Sequence, residues 1–318
     1  MPYIPLPLTP RDELDAAAEA RWNAIAEARP QLATAVELQR RLLARVMTLT
    51  RTIERGRLPR LSLPPKYLAA KLARGVPVLA GEPIPLPVAA LADTLMKLCD
   101  ELAEGGAGEA AEHIRTVVEN GTMDAGSLLG ASLSRDQNAI RTGAAHRGLA
   151  ADLVWLVAEL TVGPFAYVLQ RTLLGPAVSD RHPPADDSRD PVATALDGWD
   201  HGYCPACGSW PAMAEVVDGH RVLRCSFCAA AWELKSYACV YCREEGEPFV
   251  TAAPDEERKD RRVEVCSACG GYLKTVDTFA LSPFPLLSIG DLETMDLDMA
   301  AMEHGYQRPS LKDFAVKR

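Results

Sequence analysis

Through the first half of the chain, apolar residues recur at helical spacing, and near residue 200 the pattern changes to alternation. Thr9-Pro10-Arg11-Asp12 predicts a helix start, with Thr9 as cap and Pro10 in the first turn. An Ala-rich helix is expected from there to about residue 29. Between 31 and 53, Leu32, Val36, Leu42, Val46, Leu49 and Ile53 fall on one helical face. Gly56, Pro59, Pro64 and Pro65 then break the run, ahead of a short helix over 66–73 and a Pro-rich connector over 75–87. Two more helices are expected over 88–102 and 107–118, parted by glycines at 105–108. The most apolar stretch, 148–174, reads as a buried helix broken at Gly163-Pro164; Asp152 and Glu159 argue against a membrane span.

Residues 178–200 are rich in Asp, Pro, Arg and Ser and read as an exposed linker. Beyond it, Ala212, Ala214 and Val216 alternate up to Asp218-Gly219, a favoured hairpin pair, and 221–224 carry the return strand. Residues 231–234, 249–251, 262–265 and 272–276 are further strand candidates. The expected fold is α+β in two domains, with an all-helical domain over 1–177 and a linker over 178–200. Two tandem rubredoxin-like or zinc-ribbon modules follow, over 201–237 and 238–280, and then a short C-terminal helix and tail over 281–318. In that last helix Leu292, Met295, Met299 and Met302 form an apolar stripe expected to pack on its own domain. Asp291, Glu293, Asp296 and Asp298 complement the helix dipole, and Gly305 suits the C′ position.

The modules are inferred from four cysteine pairs: Cys204/Cys207, Cys225/Cys228, Cys239/Cys242 and Cys266/Cys269. A Cys-x-x-Cys turn puts two thiolates on one side of a knuckle, and two facing knuckles make a tetrahedral S4 cage. Four knuckles supply two ions with no ligand left over. Sequential pairing is shorter and repeats the plan, although spacing alone also permits crossed pairing. Glycine directly after a knuckle lets the chain turn back at positive φ while its amides face the sulfurs. Tyr203, Trp210, Phe227, Trp232, Tyr237, Tyr241 and Tyr272 are candidates to shield the cages or to form the small core. His201 and His220 are spare donors beside cages the thiolates already fill. His113, His146 and Cys99 lie on expected helices, where a surface position or a core position explains each. Zinc and iron both accept S4, and no ligand position is open for catalysis at metal-bound water.

Composition narrows this further. Hydrophobic residues make up 48% of the 318 positions and charged residues 24%, an ordinary globular balance. The net charge of −9 disfavours a general nucleic-acid or anionic-membrane binder. Residues 201–280 carry nine Lys/Arg against twelve Asp/Glu, which weakens a transcription-type zinc ribbon. The first residues, Met1-Pro-Tyr-Ile-Pro-Leu-Pro-Leu8, lack a basic start and a long apolar core, so no secretory signal is read. A cytoplasmic setting keeps thiols reduced and favours metal over disulfides.

The segments Tyr203-Cys-Pro-Ala-Cys-Gly-Ser209, Leu223-Arg-Cys-Ser-Phe-Cys228 with Trp232-Glu233, the Cys239 knuckle, and Cys266-Ser-Ala-Cys-Gly-Gly-Tyr-Leu-Lys274 resemble the formate dehydrogenase accessory protein FdhE family. The tail, Asp291-Leu-Glu-Thr-Met-Asp-Leu-Asp-Met299 with Glu303-His-Gly-Tyr306, is similar to that family's closing acidic helix and Gly-Tyr turn. The resemblance spans roughly residues 203–311. It implies a cytoplasmic, non-enzymatic maturation factor with no catalytic residues, needed to form active formate dehydrogenase. It further implies contact with the client's catalytic subunit and rubredoxin-type iron held by the eight knuckle cysteines. The alternatives are a zinc-ribbon nucleic-acid binder and an iron electron-transfer protein.

Overall fold

The structure is a computed structural model that describes residues 3–56, 63–175, 190–253 and 258–311. Its helices in chain order are α1 Arg11–Ala28, α2 Ala33–Arg55, α3 Pro65–Ala73, α4 Val88–Leu102, α5 Gly108–Glu119, α6 Ala125–Leu133, α7 Gln137–Ala145, α8 Ala151–Leu174, α9 Pro191–Asp197, α10 Leu286–Glu293 and α11 Met295–Glu303. Its strands are β1 Tyr3–Ile4, β2 Met213–Val217, β3 His220–Arg224, β4 Ala231–Trp232, β5 Phe249–Ala252, β6 Arg261–Cys266 and β7 Gly271–Asp277. A helical region thus precedes a sheet-bearing one, the expected α+β arrangement.

Two compact units divide the chain. One collects described residues within 15–62 and 81–169; the other collects those within 1–14, 63–80 and 170–314. In the first unit the helices form where apolar spacing says they should. α2 buries Val36, Leu43, Val46, Leu49 and Ile53, with Leu43 rather than the expected Leu42 facing inward. α4 buries Leu91, Leu95, Leu98, Cys99 and Leu102. α6 and α7 were missed: Asp124 and Asp136 cap them by accepting the Ser127 and Ala139 amides. α8 runs unbroken through Gly163-Pro164, against the expected interruption. An internal proline costs roughly 3 kcal/mol, and burial of its neighbours Val162, Phe165 and Ala166 outweighs it. By length and composition α8 could cross a membrane, yet 61% of its most apolar window is buried, as in a core helix.

The second unit is built on one seven-stranded sheet of order β1-β4-β3-β2-β7-β6-β5. The Asp218-Gly219 turn joins β2 to β3 as expected, both residues at positive φ. Sequence did not reveal that β2 pairs with β7 in parallel, Met213 opposite Lys274 through Val216 opposite Asp277, so that the two cysteine modules share a sheet. Nor did it reveal β1, whose Tyr3 and Ile4 add an edge beside Trp232 and Ala231. The Tyr3 hydroxyl donates to Gln170 at 2.8 Å. The end of the expected linker is helical too: Asp190 caps α9 through the Val192 amide, and Val192 and Leu196 are buried. Linker residues before Asp190 lie outside the described residues.

Period-two alternation gives β7 two different faces. Tyr272 and Lys274 point at the C-terminal helices, while Thr275 Oγ1 donates to Glu264 at 2.9 Å on the other side. Val263 and Tyr272 pack on Leu297 and Ala301 of α11. The expected methionine stripe is therefore not the packing face; Met299 and Met302 are exposed. Thr294, between α10 and α11, interrupts the register that would have aligned them. Gly305 does terminate α11 at φ +84°, with the Tyr306 amide donating to Ala301.

The fully buried Lys274 ammonium is 2.5 Å from Asp291 and 2.7 Å from Asp298, and Arg308 reaches Asp298 at 2.8 Å. Burial alone would raise the Asp291 carboxyl, but Lys274 and Arg308 outweigh it and hold the group below the ordinary carboxylate range. Replacing Lys274 by Met should cost about 2–3 kcal/mol, because two carboxylates lose a buried partner while remaining partly solvated. A carboxylate with a lowered folded pKa stabilises fully above its unfolded value near ~4 and loses that stabilisation as pH falls through the folded value. The gap in thermal midpoint between parent and Lys274→Met should thus be constant from about pH 5 to 8 and close below about pH 4.

Candidate metal centres

The structure gathers the eight knuckle cysteines into two groups, in the sequential pairing. Cys204, Cys207, Cys225 and Cys228 form one cluster and Cys239, Cys242, Cys266 and Cys269 the other, with all sulfurs in each within 4.8 Å of one another. In the first, Cys204 and Cys207 are 3.6 Å from Cys228 and Cys225 respectively, and Cys225–Cys228 is 3.7 Å. In the second, Cys239–Cys269 is 3.7 Å and Cys242–Cys266 is 3.6 Å. A disulfide would place sulfurs about 2.05 Å apart. Ligands on a tetrahedral ion with metal–sulfur bonds of about 2.3 Å lie about 3.8 Å from one another. The observed edges match the cage, so each group could hold one metal ion.

Local backbone geometry explains why the sequence folds into these corners. In three knuckles the residue four after the first cysteine donates its amide back to that cysteine's carbonyl: Gly208 to Cys204, Arg243 to Cys239 and Gly270 to Cys266, at 2.8–2.9 Å. Cys204, Cys225 and Cys239 in turn donate to the carbonyls of Ser209, Ala230 and Glu244. The residue after each second cysteine has positive φ in all four: Gly208 (83°), Ala229 (55°), Arg243 (71°) and Gly270 (70°). Only two are glycines, so composition signals half of a rule the backbone applies everywhere. The turn also aims amides at sulfur. Cys239 accepts from Tyr241 and Cys242, Cys266 from Ala268 and Cys269, and Cys269 from Gly271. Such bonds favour thiolate, the form a metal needs.

The first cage is closed. Cys204, Cys225 and Cys228 are 0% exposed and Cys207 is 3% exposed. Burial, with the Cys207 and Cys225 sulfurs adding to it, pushes the Cys204 and Cys228 thiols far above their ordinary range. Four thiols buried side by side reach the thiolate state together only beside a cation, so the chemistry of the donor set fits a metal. Ser209 Oγ lies 3.2 Å from Cys207 Sγ. The connector after α3 supplies a lid, a role sequence did not suggest. The Val78 and Leu79 amides donate to Pro205 and Ala206 at 3.0 and 2.9 Å, and the Tyr203 hydroxyl donates to Gly75. Lys71 fastens that connector through the Val78 and Ala80 carbonyls.

The second cage is half open: Cys239 and Cys266 are buried, whereas Cys242 and Cys269 are exposed. Burial raises Cys239 and, less strongly, Cys269, whose thiol sits at about 11. At Cys266 burial is outweighed by the Cys269 and Ala268 amides, and the thiol is lowered. Of the aromatic candidates, Tyr203, Phe227, Trp232 and Tyr272 are buried. Tyr203, Trp210 and Tyr241 form an edge-to-face series between the knuckles, with centroids 5.9 and 5.2 Å apart, and Tyr237 is exposed. Gly202 approaches Val240 so closely that a Cβ would sit 1.7 Å from its carbonyl oxygen, locking the start of one module to the other.

Neither spare histidine joins a cage. His201 stacks on Tyr203 at 4.9 Å, and His220 is 3.4 Å from Glu233 at the surface. His113 and His146 are exposed, and Cys99 is a core residue whose thiol burial pushes up to about 12. Sequence reading missed a polar cluster beside the second cage: Arg221 pairs with Glu264, which also accepts from Thr275 and Tyr237. Charged residues inside strands carried no signal for it.

No family model matches the chain. Among curated proteins, it is 32% identical over 126 residues to "Protein FdhE" of an Escherichia coli strain, covering 38% of this chain and 40% of that one. It is 28% identical over 122 residues to "Protein FdhE homolog" of Aquifex aeolicus, covering 37% and 43%. The matched part therefore spans about two fifths of the length of these relatives. Among solved structures, the crystal structure of the FdhE protein from Pseudomonas aeruginosa is similar over 98% of this chain and 97% of its own, with a TM-score of 0.56 and 22% identity. That likeness establishes a shared fold.

The knuckle rule is testable by exchanging its two solutions. Gly208→Ala places a Cβ at φ 83° and should destabilise by about 1–2 kcal/mol. Ala229→Gly relieves the same strain and should be neutral or stabilising by up to about 1 kcal/mol. Thermal unfolding of the two variants at equal metal content reads the opposite signs.

Proposed function

We propose, with the chain taken as a member of the FdhE family, that it is a maturation factor required to form active formate dehydrogenase. The two S4 cages hold one sheet in a fixed shape, and that sheet-bearing unit meets the client's catalytic subunit. The observation that carries this reading is the pair of complete sulfur tetrahedra on a continuous sheet, in the part of the chain whose motifs resemble the family. All eight cysteines are assigned as ligands, iron is the favoured metal from the resemblance with zinc as the alternative, and the setting is cytoplasmic. Four thiolates complete each coordination sphere, which suits a structural or electron-transfer ion more than a catalytic one with an open position. The role is accordingly non-catalytic.

The acidic balance of residues 201–280 weighs against a nucleic-acid ribbon. Electron transfer through an iron centre is compatible with the accessory role, since the second cage has sulfur at the surface. In a strain lacking this protein, formate dehydrogenase activity should fall to background and return with the parent gene. It should not return with Cys204→Ser, which breaks the buried cage and should also abolish co-purification with the catalytic subunit. Normal maturation without the protein would reject the accessory reading. Metal analysis should find two ions per chain, and a rubredoxin-like absorption that bleaches on reduction would identify iron, whereas a colourless zinc protein would exclude it.

A further inference from the structure

The two cages share a donor set and differ in access. The first has all four sulfurs buried, Trp232 and Phe227 buried in the same module, and the 74–80 connector hydrogen-bonded across Pro205 and Ala206. A competing donor reaches those sulfurs only after local unfolding. The second has two buried sulfurs, Cys239 and Cys266, and two exposed ones, Cys242 and Cys269, one from each of its knuckles. The residues beside that edge, Ser267 and Ala268, are exposed as well. Tyr241 closes the inner side: its hydroxyl donates to the Tyr272 carbonyl and its ring lies against Gly271.

We propose that the second cage is an ion-exchange site and the first a permanent staple. A thiophilic divalent ion enters and leaves the second cage across the Cys242–Cys269 edge, by substitution with an incoming thiolate. As the new metal–sulfur bond forms, the bond to Cys242 or Cys269 breaks. The displaced sulfur departs as thiolate and takes a proton from water, the ion stays divalent, and no electron is transferred. Cys239 and Cys266, the two buried sulfurs, retain the ion during the exchange. The proposal rests on the metal-binding part of the functional reading and is independent of the client.

The test uses the full chain loaded with zinc, challenged with excess chelator and a chromogenic zinc indicator, and pulsed with N-ethylmaleimide for peptide mapping. One of the two equivalents should leave faster by roughly tenfold or more, the effect of about 1.4 kcal/mol of opening cost. Early alkylation should fall on Cys239, Cys242, Cys266 and Cys269. Cys242→Ala should keep its circular dichroism, bind a single equivalent and show the slow phase alone; if that variant unfolds, labelling of the parent decides. A single phase carrying both equivalents, or early alkylation at Cys204, Cys207, Cys225 and Cys228, overturns the proposal. A chain that takes up no zinc overturns it together with the metal reading. Ordered release in a protein whose loss leaves formate dehydrogenase maturation normal would reject the accessory role and leave the exchange site standing.

Discussion

Four thiolates repel one another, and they stay together only if a cation sits between them and the backbone holds them there. That constraint shapes the cysteine-bearing unit down to single dihedral angles. Each knuckle must reverse so that amides point at sulfur, and the reversal requires positive φ just after the second cysteine. Two glycines meet the requirement freely. Ala229 and Arg243 meet it under strain. Such strain persists only where the surroundings over-determine it, as the buried first cage does at Ala229.

With the corners set, the strands between them have little freedom. Each knuckle pair delivers a short hairpin, and a hairpin alone is marginal in water. The parallel pairing of β2 with β7 merges the two hairpins into a sheet long enough to be buried on both sides. One side takes Tyr272 and Lys274 against the C-terminal helices; the other takes the Arg221–Glu264 cluster. Buried charge inside such a sheet is costly unless fully partnered, and these groups are joined in networks rather than in single pairs. The arrangement specifies register as much as it stabilises: a one-residue slip would bring Lys274 to the face where Glu264 and Arg221 meet.

The same unit treats its two cages differently, and the difference lies outside the cysteines. The first is closed by residues remote in sequence: the connector after α3, held by Lys71, with Tyr203 reaching back to Gly75. The second keeps two sulfurs at the surface. An identical set of four sulfurs is thus enclosed in one place and open at one edge in the other. Access of solvent and competing donors is what separates the two cages.

Residue identity by itself determined the chemistry. Eight cysteines at two-residue gaps, with Asp218-Gly219 between strands, predict S4 knuckles and a hairpin because their reach is local, and the helical face of α2 follows from a period of 3.6 in the same way. Tertiary structure decided what depends on distant partners. The pairing of β2 with β7, the strand at Tyr3–Ile4, the lid over the first cage and the burial of Leu297 and Ala301 instead of Met299 and Met302 each join segments far apart in the chain. α8 shows the balance at one position: Pro164 reads locally as a break, and the apolar burial around it keeps the helix whole.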